Sequence, residues 1–417
     1  MFTDKITDYF EGVAAKYLSV VDADPERSNG HEIGGLPAAG AKSWLGTPGK
    51  GEGQEIRYQA QQVYISDELD EPLIYESSVS WYDSRRNKPA RSPEYRLYYE
   101  DSPVTLQFKP GDFLLIAKHR DGRLLMVLAP PQSSVEKQLR VIFGLSEIDE
   151  DFNAGNLESS MLLLPLRLLL ETLGFELSKP AADDGTWLDR LMAEFGDKQF
   201  PSTERFSTFA RKSLENEVDP LRFPDKTLMA WMEHEEKLFR IYECHFVMKR
   251  LDVGFSADSH GVETFISYSL SVQNRRKSRV GHAFEGHIRN LFKKHALKFE
   301  QGAKALVTEN SARPDFLFPS FSAYHDKTFP TESLIMLGAK TTCKDRWRQV
   351  LSEAARIESK HLITMEAAIS EAQTNEMVAH KLQLVIPTAM HTTFNEGQRA
   401  QLLDVSGFID MVKSVQR

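Results

Sequence analysis

The chain has 417 residues, of which 41% are hydrophobic and 27% charged, and its formal net charge is −9. That length exceeds one ordinary core and predicts two domains, and the composition is that of a globular protein in water. It excludes a membrane partner: no run reaches the roughly 18 apolar residues that a span needs, and the densest, Met161 to Leu170, is interrupted by Pro165 and Arg167.

The N-terminus (MFTDKITDYFEGVAAKYL) reads as an amphipathic helix, with acids where a signal peptide would be basic. Residues 30–53 are rich in Gly and Pro and read as long loops. Short runs rich in aromatic and branched residues follow at Glu55–Ser66, Pro72–Asp83, Glu94–Tyr99, Asp112–His119 and Arg123–Ala129. Separated by turn signals such as Lys109-Pro110-Gly111, they predict a small β barrel or sandwich. A helix over Leu157–Leu173 closes this first domain, residues 1–177. A polar stretch opening at Ser178 makes 178–199 the expected linker.

From residue 200 to 417 the pattern changes to α/β. Long helical periodicities cover 226–252, 258–273 and 279–297, with strands expected at 298–307, 314–318 and 334–341. Helix 345–360, strand 361–364, a further helix, strand 382–387 and a final helix complete the domain. The two cysteines, Cys244 and Cys343, stand 99 positions apart in no metal-spaced cluster. That argues against structural zinc and for a reducing cytoplasm.

Charge distribution qualifies the acidic total. Between Ser271 and Lys298 there are eight Lys/Arg, among them Arg275, Arg276, Lys277 and Arg279, against the single acid Glu285. A second basic run, Trp81 to Tyr98, interleaves Arg85, Arg86, Lys88, Arg91 and Arg96 with Trp81, Tyr82, Tyr95 and Tyr98. Both are candidate DNA surfaces, and solvated charged faces are the alternative reading.

Asp315 leads into the apolar run Phe316-Leu317-Phe318, and Lys340 ends the strand Leu334–Ala339 some 25 residues later. A carboxylate and an ammonium at neighbouring strand ends suit metal-dependent phosphodiester hydrolysis: the acid holds Mg²⁺, the lysine positions water and offsets phosphate charge. The usual second acid, two residues before the lysine, is replaced by Gly338. Glu353 can supply it, because on helix 345–360 it lies seven residues from Arg346 and shares its stripe. Glu285 is a third carboxylate. A structural lysine and a salt-bridging Glu285 remain the bland alternatives.

Three blocks then make the C-terminal half similar to a known family: Lys340-Thr-Thr-Cys-Lys-Asp-Arg-Trp-Arg-Gln349, Asn274-Arg-Arg-Lys-Ser-Arg279, and Pro314-Asp-Phe-Leu-Phe-Pro-Ser320 with Ala323-Tyr-His-Asp326. They resemble the EcoRII restriction endonucleases, a type II branch of the PD-(D/E)xK nucleases in which the second acid has moved onto the following helix. The resemblance implies a Mg²⁺-dependent site of Glu285, Asp315, Lys340 and Glu353. It also implies base reading by Lys344, Asp345 and Arg346 at the outer C·G pairs of a CCWGG-like target, chemistry that Lys/Arg to guanine and Asp to cytosine N4 satisfy. More faintly, Asn29–Gly34 and Tyr82–Arg85 resemble the family's B3-like pseudobarrel, which grips a second DNA copy as effector. That resemblance implies contacts from His31, Arg91, Glu94 and Arg96. The chain departs from the family at Leu36 and at Trp231, which could stack an extruded base. A homodimer in the cytoplasm of a bacterium or archaeon, with double-stranded DNA as substrate and effector, is what the resemblance implies. A methylation-dependent nuclease of the same fold and a non-catalytic DNA-binding regulator are the alternatives.

Overall fold

The computed structural model describes residues 5–23, 31–49, 53–88, 90–146, 148–159, 162–175, 177, 183–303, 306–309, 312–344 and 346–417. The chain divides into two compact units. Among the described residues, one comprises Asp4–Ser178 together with Ala367–Gln373, and the other Lys179–Glu366 and Thr374–Arg417.

The first unit is built on an eight-stranded sheet. Its strands are β1 (Phe10–Tyr17), β2 (Glu32–Ile33), β3 (Ile56–Tyr64), β4 (Leu73–Asp83), β5 (Tyr95–Tyr98), β6 (Phe113–His119), β7 (Leu124–Ala129) and β8 (Asn153–Ala154). They lie in the order β2-β5-β4-β3-β7-β6-β1-β8, with β3 and β7 parallel and every other neighbouring pair antiparallel. One face buries Leu36, Trp81, Leu97, Ile116 and Met126. On the other side Phe10 packs against Phe143 and Phe175.

The N-terminal segment expected to be a helix is instead β1, paired along its length with β6. The run Val13-Ala14-Ala15 is wholly buried, which a one-sided surface helix cannot satisfy. Gly12 also admits the Trp44 indole so closely that a Cβ would lie 2.2 Å from its Cδ1. Residues 30–53 hold β2 and the short helix Lys42–Leu45, and the helix expected over 157–173 is confined to Leu164–Thr172 after a 3-10 turn at Leu157–Ser159.

Residues Ala367–Gln373 belong to this unit through specific bonds. Gln138 Nε2 donates to the Ala367 carbonyl at 3.1 Å, and Ser370 N to Ser134 Oγ at 2.9 Å. Gln373 Nε2 donates to Asp67 Oδ2 at 3.0 Å, and Asp67 also accepts the Ser134 and Val135 amides at the start of helix Ser134–Phe143.

The second unit has a helical layer and a five-stranded sheet. Of the expected linker, 178–182 lies outside the described residues, and Asp184–Phe195 is a helix packed into an aromatic-rich core. There Leu191, Phe206, Leu238, Phe239 and Tyr242 are fully buried with Phe195 and Phe200 against them. Helix Pro224–Val253 and the 36-residue helix Ser259–Lys294 cross this layer. The break expected between residues 273 and 279 does not occur. Ion pairs stitch the two helices together there, from Arg276 to Glu243 at 2.6 Å and from Arg279 to Glu235 at 3.0 Å and to Glu236.

The sheet has the order β13-β12-β11-β10-β9, from β9 (Glu300–Gln301), β10 (Phe316–Phe318), β11 (Ile335–Lys340), β12 (Lys360–Thr364) and β13 (Leu382–Val385). β9, β10 and β11 run antiparallel; β11, β12 and β13 run parallel. Gly338 is central to β11 for a steric reason, since a Cβ there would stand 2.9 Å from Val350 Cγ2 and 3.5 Å from Leu362 Cδ1. The place of the usual acid is thus filled by the helix that follows the strand. Gly338→Ala is expected to cost about 1–3 kcal/mol by overpacking, read by chemical denaturation; an unchanged midpoint would show that Val350 is free to move.

Candidate active site

Asp315 sits at the head of β10 and Lys340 at the end of β11, on neighbouring antiparallel strands. The pairing Phe316↔Leu337 carries Asp315 to where its Oδ2 accepts the Ala339 amide at 2.7 Å and the Lys340 ammonium at 2.9 Å. Both side chains are about one-fifth exposed, so the charges are partly desolvated yet reachable.

Two further carboxylates approach this pair. Glu285, on helix Ser259–Lys294, accepts from Gln301 Nε2 at 3.1 Å. Burial raises its pKa, and the Asp315 charge raises it further. Glu353 has its pKa pushed up from 4.5 to about 7, first by burial and then by Asp315, with Lys340 and Lys360 opposing. Its Oε2 is buried with no hydrogen-bond partner among the described residues.

Glu353 does not stand on a helix two turns beyond Arg346, as the sequence pattern expects. The helix is only Trp347–Leu351, Ser352 caps it, and the chain turns at Ala354 with φ 48°. A clamp of side chains fixes that turn instead. The amides of Ala354, Ala355 and Arg356 are accepted by Thr308 Oγ1 (3.3 Å), Glu309 Oε2 (3.2 Å) and Tyr324 Oη (3.1 Å). Tyr324 in turn donates to Glu309, and the Arg356 guanidinium donates to the carbonyls of Tyr324 (2.5 Å) and Asp326 (2.8 Å). Sequence reasoning missed Gln301, Thr308, Glu309, Tyr324, Arg356 and Lys360. Tyr324 alone lay in a block already singled out, Ala323–Asp326.

The three carboxylates fit a hard divalent cation in their chemistry, all-oxygen donors with one buried carboxylate oxygen unsatisfied. Among the described residues no three His, Cys, Asp or Glu side chains close into a ready-made metal cage. A magnesium-type site needs none, because that ion keeps several of its waters and is held only in part by protein carboxylates.

The remaining candidates are dispersed. Lys344 is half-buried with φ 39°, Arg346 is exposed with Nη2 3.0 Å from Thr342 Oγ1, and Asp345 lies outside the described residues. Arg275 covers the Phe200 ring at 4.9 Å, Arg276 is taken by Glu243, and Lys277 is exposed. Two assignments need correction. Arg279 is 4% exposed, paired with Glu235 and Glu236 and laid over Phe239 at 3.8 Å, which makes it an internal tie and not a phosphate contact. Trp231 is 3% exposed and tilted against His287 at 5.6 Å, so it is core and offers no stacking platform. In the first unit Arg91 is exposed, while His31 stands 3.5 Å from Asp101. Arg96 bridges Glu32 (2.6 Å) and Glu94 (2.8 Å), and Glu94 also meets Arg85 at 2.7 Å.

This sheet thus carries an acid and a lysine locked across adjacent strands, with two raised carboxylates beside them. Residues 239–409 match the family described as EcoRII C terminal. The type II restriction enzyme EcoRII of Escherichia coli is 40% identical over 220 residues, covering 52% of this chain and 52% of its own. The chain therefore matches about half the length of that relative. Among solved structures, metal-depleted Ecl18kI in complex with uncleaved, modified DNA is 20% identical with a TM-score of 0.43, over 56% of this chain and 83% of that one. The PspGI–substrate DNA complex is 17% identical with a TM-score of 0.44, over 52% and 93%. No helix among the described residues is long and apolar enough to cross a membrane.

Proposed function

We propose that the chain is a type II restriction endonuclease that hydrolyses double-stranded DNA at a short CCWGG-like site, with its chemistry in a PD-(D/E)xK-type C-terminal domain. The observation that carries this reading is the Asp315 carboxylate held by the Ala339 amide and the Lys340 ammonium, with the raised carboxylates of Glu285 and Glu353 beside it. Asp315 and Glu353, with Glu285, are the residues to hold Mg²⁺. When bound, such an ion polarises the phosphate and lowers the pKa of a water.

The chain's own groups do the rest. Asp315, fixed from two sides, takes a ligand without reorganising. Lys340 orients the attacking water and offsets charge on the phosphoryl oxygens. Glu353, whose carboxyl burial and Asp315 hold high, must give up its proton to take a cation. The water oxygen bonds to phosphorus, one phosphate ester bond breaks, and the leaving oxygen takes up a proton. Lys344, Asp345 and Arg346, four to six positions after Lys340 in the chain, read base edges. The first unit serves as a B3-like module for an effector copy of the DNA, through His31, Arg91, Glu94 and Arg96. A palindromic target suits a two-fold homodimer.

Incubating the protein with methylated and unmethylated plasmid, with and without Mg²⁺, and sequencing the cut ends tests this reading. Discrete ends within CC…GG sites on unmethylated DNA are expected. Cutting of methylated plasmid alone would make it a modification-dependent nuclease, and specific binding without cutting would make it a regulator.

A further inference from the structure

The loop Thr341–Arg346 that follows Lys340 is anchored by a residue far along the chain. Glu366 lies two positions beyond the end of β12 and is only 6% exposed. Its carboxylate oxygen Oε2 accepts the amide of Lys344 at 3.1 Å and, more tightly, that of Cys343. Thr364 adds two bonds: its hydroxyl meets the Thr341 carbonyl at 3.4 Å and accepts the Glu366 amide at 3.1 Å.

Such an arrangement is expensive. A buried carboxylate loses its hydration and persists only where hydrogen-bond donors replace it. Lys344 is held at φ 39°, a left-handed conformation that L-residues other than Asn and Asp adopt rarely. Successive amides turned towards one anion form a nest, which rigidifies the backbone that supplies them. The side chains of Lys344 and Arg346 leave that same backbone, and Arg346 N closes on the Cys343 carbonyl at 2.9 Å.

We propose that Glu366 is a positioning residue for sequence discrimination: it sets the backbone from which Lys344 and Arg346 approach the base edges. This rests on the reading of Thr341–Arg346 as the base-contacting segment. Bidentate base contacts tolerate little displacement, whereas phosphate contacts are permissive. Loosening the loop therefore costs specific binding and spares non-specific binding.

The test is anisotropy binding of the full chain, without divalent metal, to a CCTGG duplex and to one with the outer C·G pair replaced by T·A. Glu366→Ala is expected to lower the affinity ratio between the two duplexes about ten-fold or more, with affinity for the altered duplex unchanged. Glu366→Gln keeps the shape and an acceptor but loses the charge, and is expected to lower it about three-fold. If Glu366→Ala does not fold, the Gln variant decides. A full ratio in either folded variant would overturn the proposal, as would loss of folding in both, which would assign Glu366 to domain stability. Arg346→Ala tests the underlying reading separately. If it leaves the ratio intact the loop is not the reader; if it abolishes the ratio while both Glu366 variants keep it, only the role of Glu366 fails.

Discussion

Lys340→Ala is expected to lower plasmid cleavage by roughly 10²–10³-fold or more while leaving sequence-specific DNA binding within a few-fold. The ammonium stands 2.9 Å from Asp315 Oδ2 and lowers the pKa of both Glu285 and Glu353. Its removal leaves Asp315 with the Ala339 amide alone, and it withdraws the charge that lowers the pKa of both Glu285 and Glu353. Those carboxyls then hold their protons to higher pH. Lys340→Arg is not expected to rescue, because a planar guanidinium cannot reproduce a compact point charge in this half-buried position. Initial-rate plasmid assays beside anisotropy binding check the expectation, and unchanged cleavage would remove the proposed site.

The second large effect is on stability and runs opposite to activity. Glu353 is held from 4.5 up to about 7, so the folded protein keeps a proton that the unfolded chain releases. Below the unfolded value both states are protonated and Glu353 contributes no difference. Between the two values stability falls as pH rises, and above about 7 the penalty is complete. At about 1.4 kcal/mol per tenfold change in proton affinity, it amounts to roughly 3 kcal/mol. Glu353→Gln removes it. The metal-free variant is therefore expected to be more stable than the parent by about that amount near pH 8 and equal to it near pH 4, while losing cleavage. Urea denaturation at the two pH values measures this, and an equal midpoint near pH 8 would mean that burial and Asp315 do not raise Glu353.

How much was legible in the sequence depended on whether a residue acts locally. Strands β3 to β7 follow from alternation and turn signals, and the approach of Asp315 to Lys340 follows from two apolar runs that must pair. The first strand was not legible, because the pattern Phe10–Tyr17 fits a helix until Trp44 fills the space above Gly12. Glu353 was found by a helical spacing that the structure does not keep, since the helix stops at Leu351. What holds it, Thr308, Glu309 and Tyr324, lies 29 to 45 residues earlier and carries no periodic signal. The basic run misled in part for a similar reason. A count of arginines cannot tell one that faces solvent, and Arg279 is spent on Glu235 and Glu236 inside the helical layer.

The inclusion of Ala367–Gln373 in the first unit has a consequence for anyone taking the protein apart. The first unit is not a cassette. A chimera that exchanges only residues 4–178 for another domain would remove Asp67, Ser134 and Gln138. It would strip cover from Ala367, Ala368 and Ile369, which are all buried. Modular exchange would have to carry those seven residues along with the N-terminal segment, or replace their apolar members with polar ones.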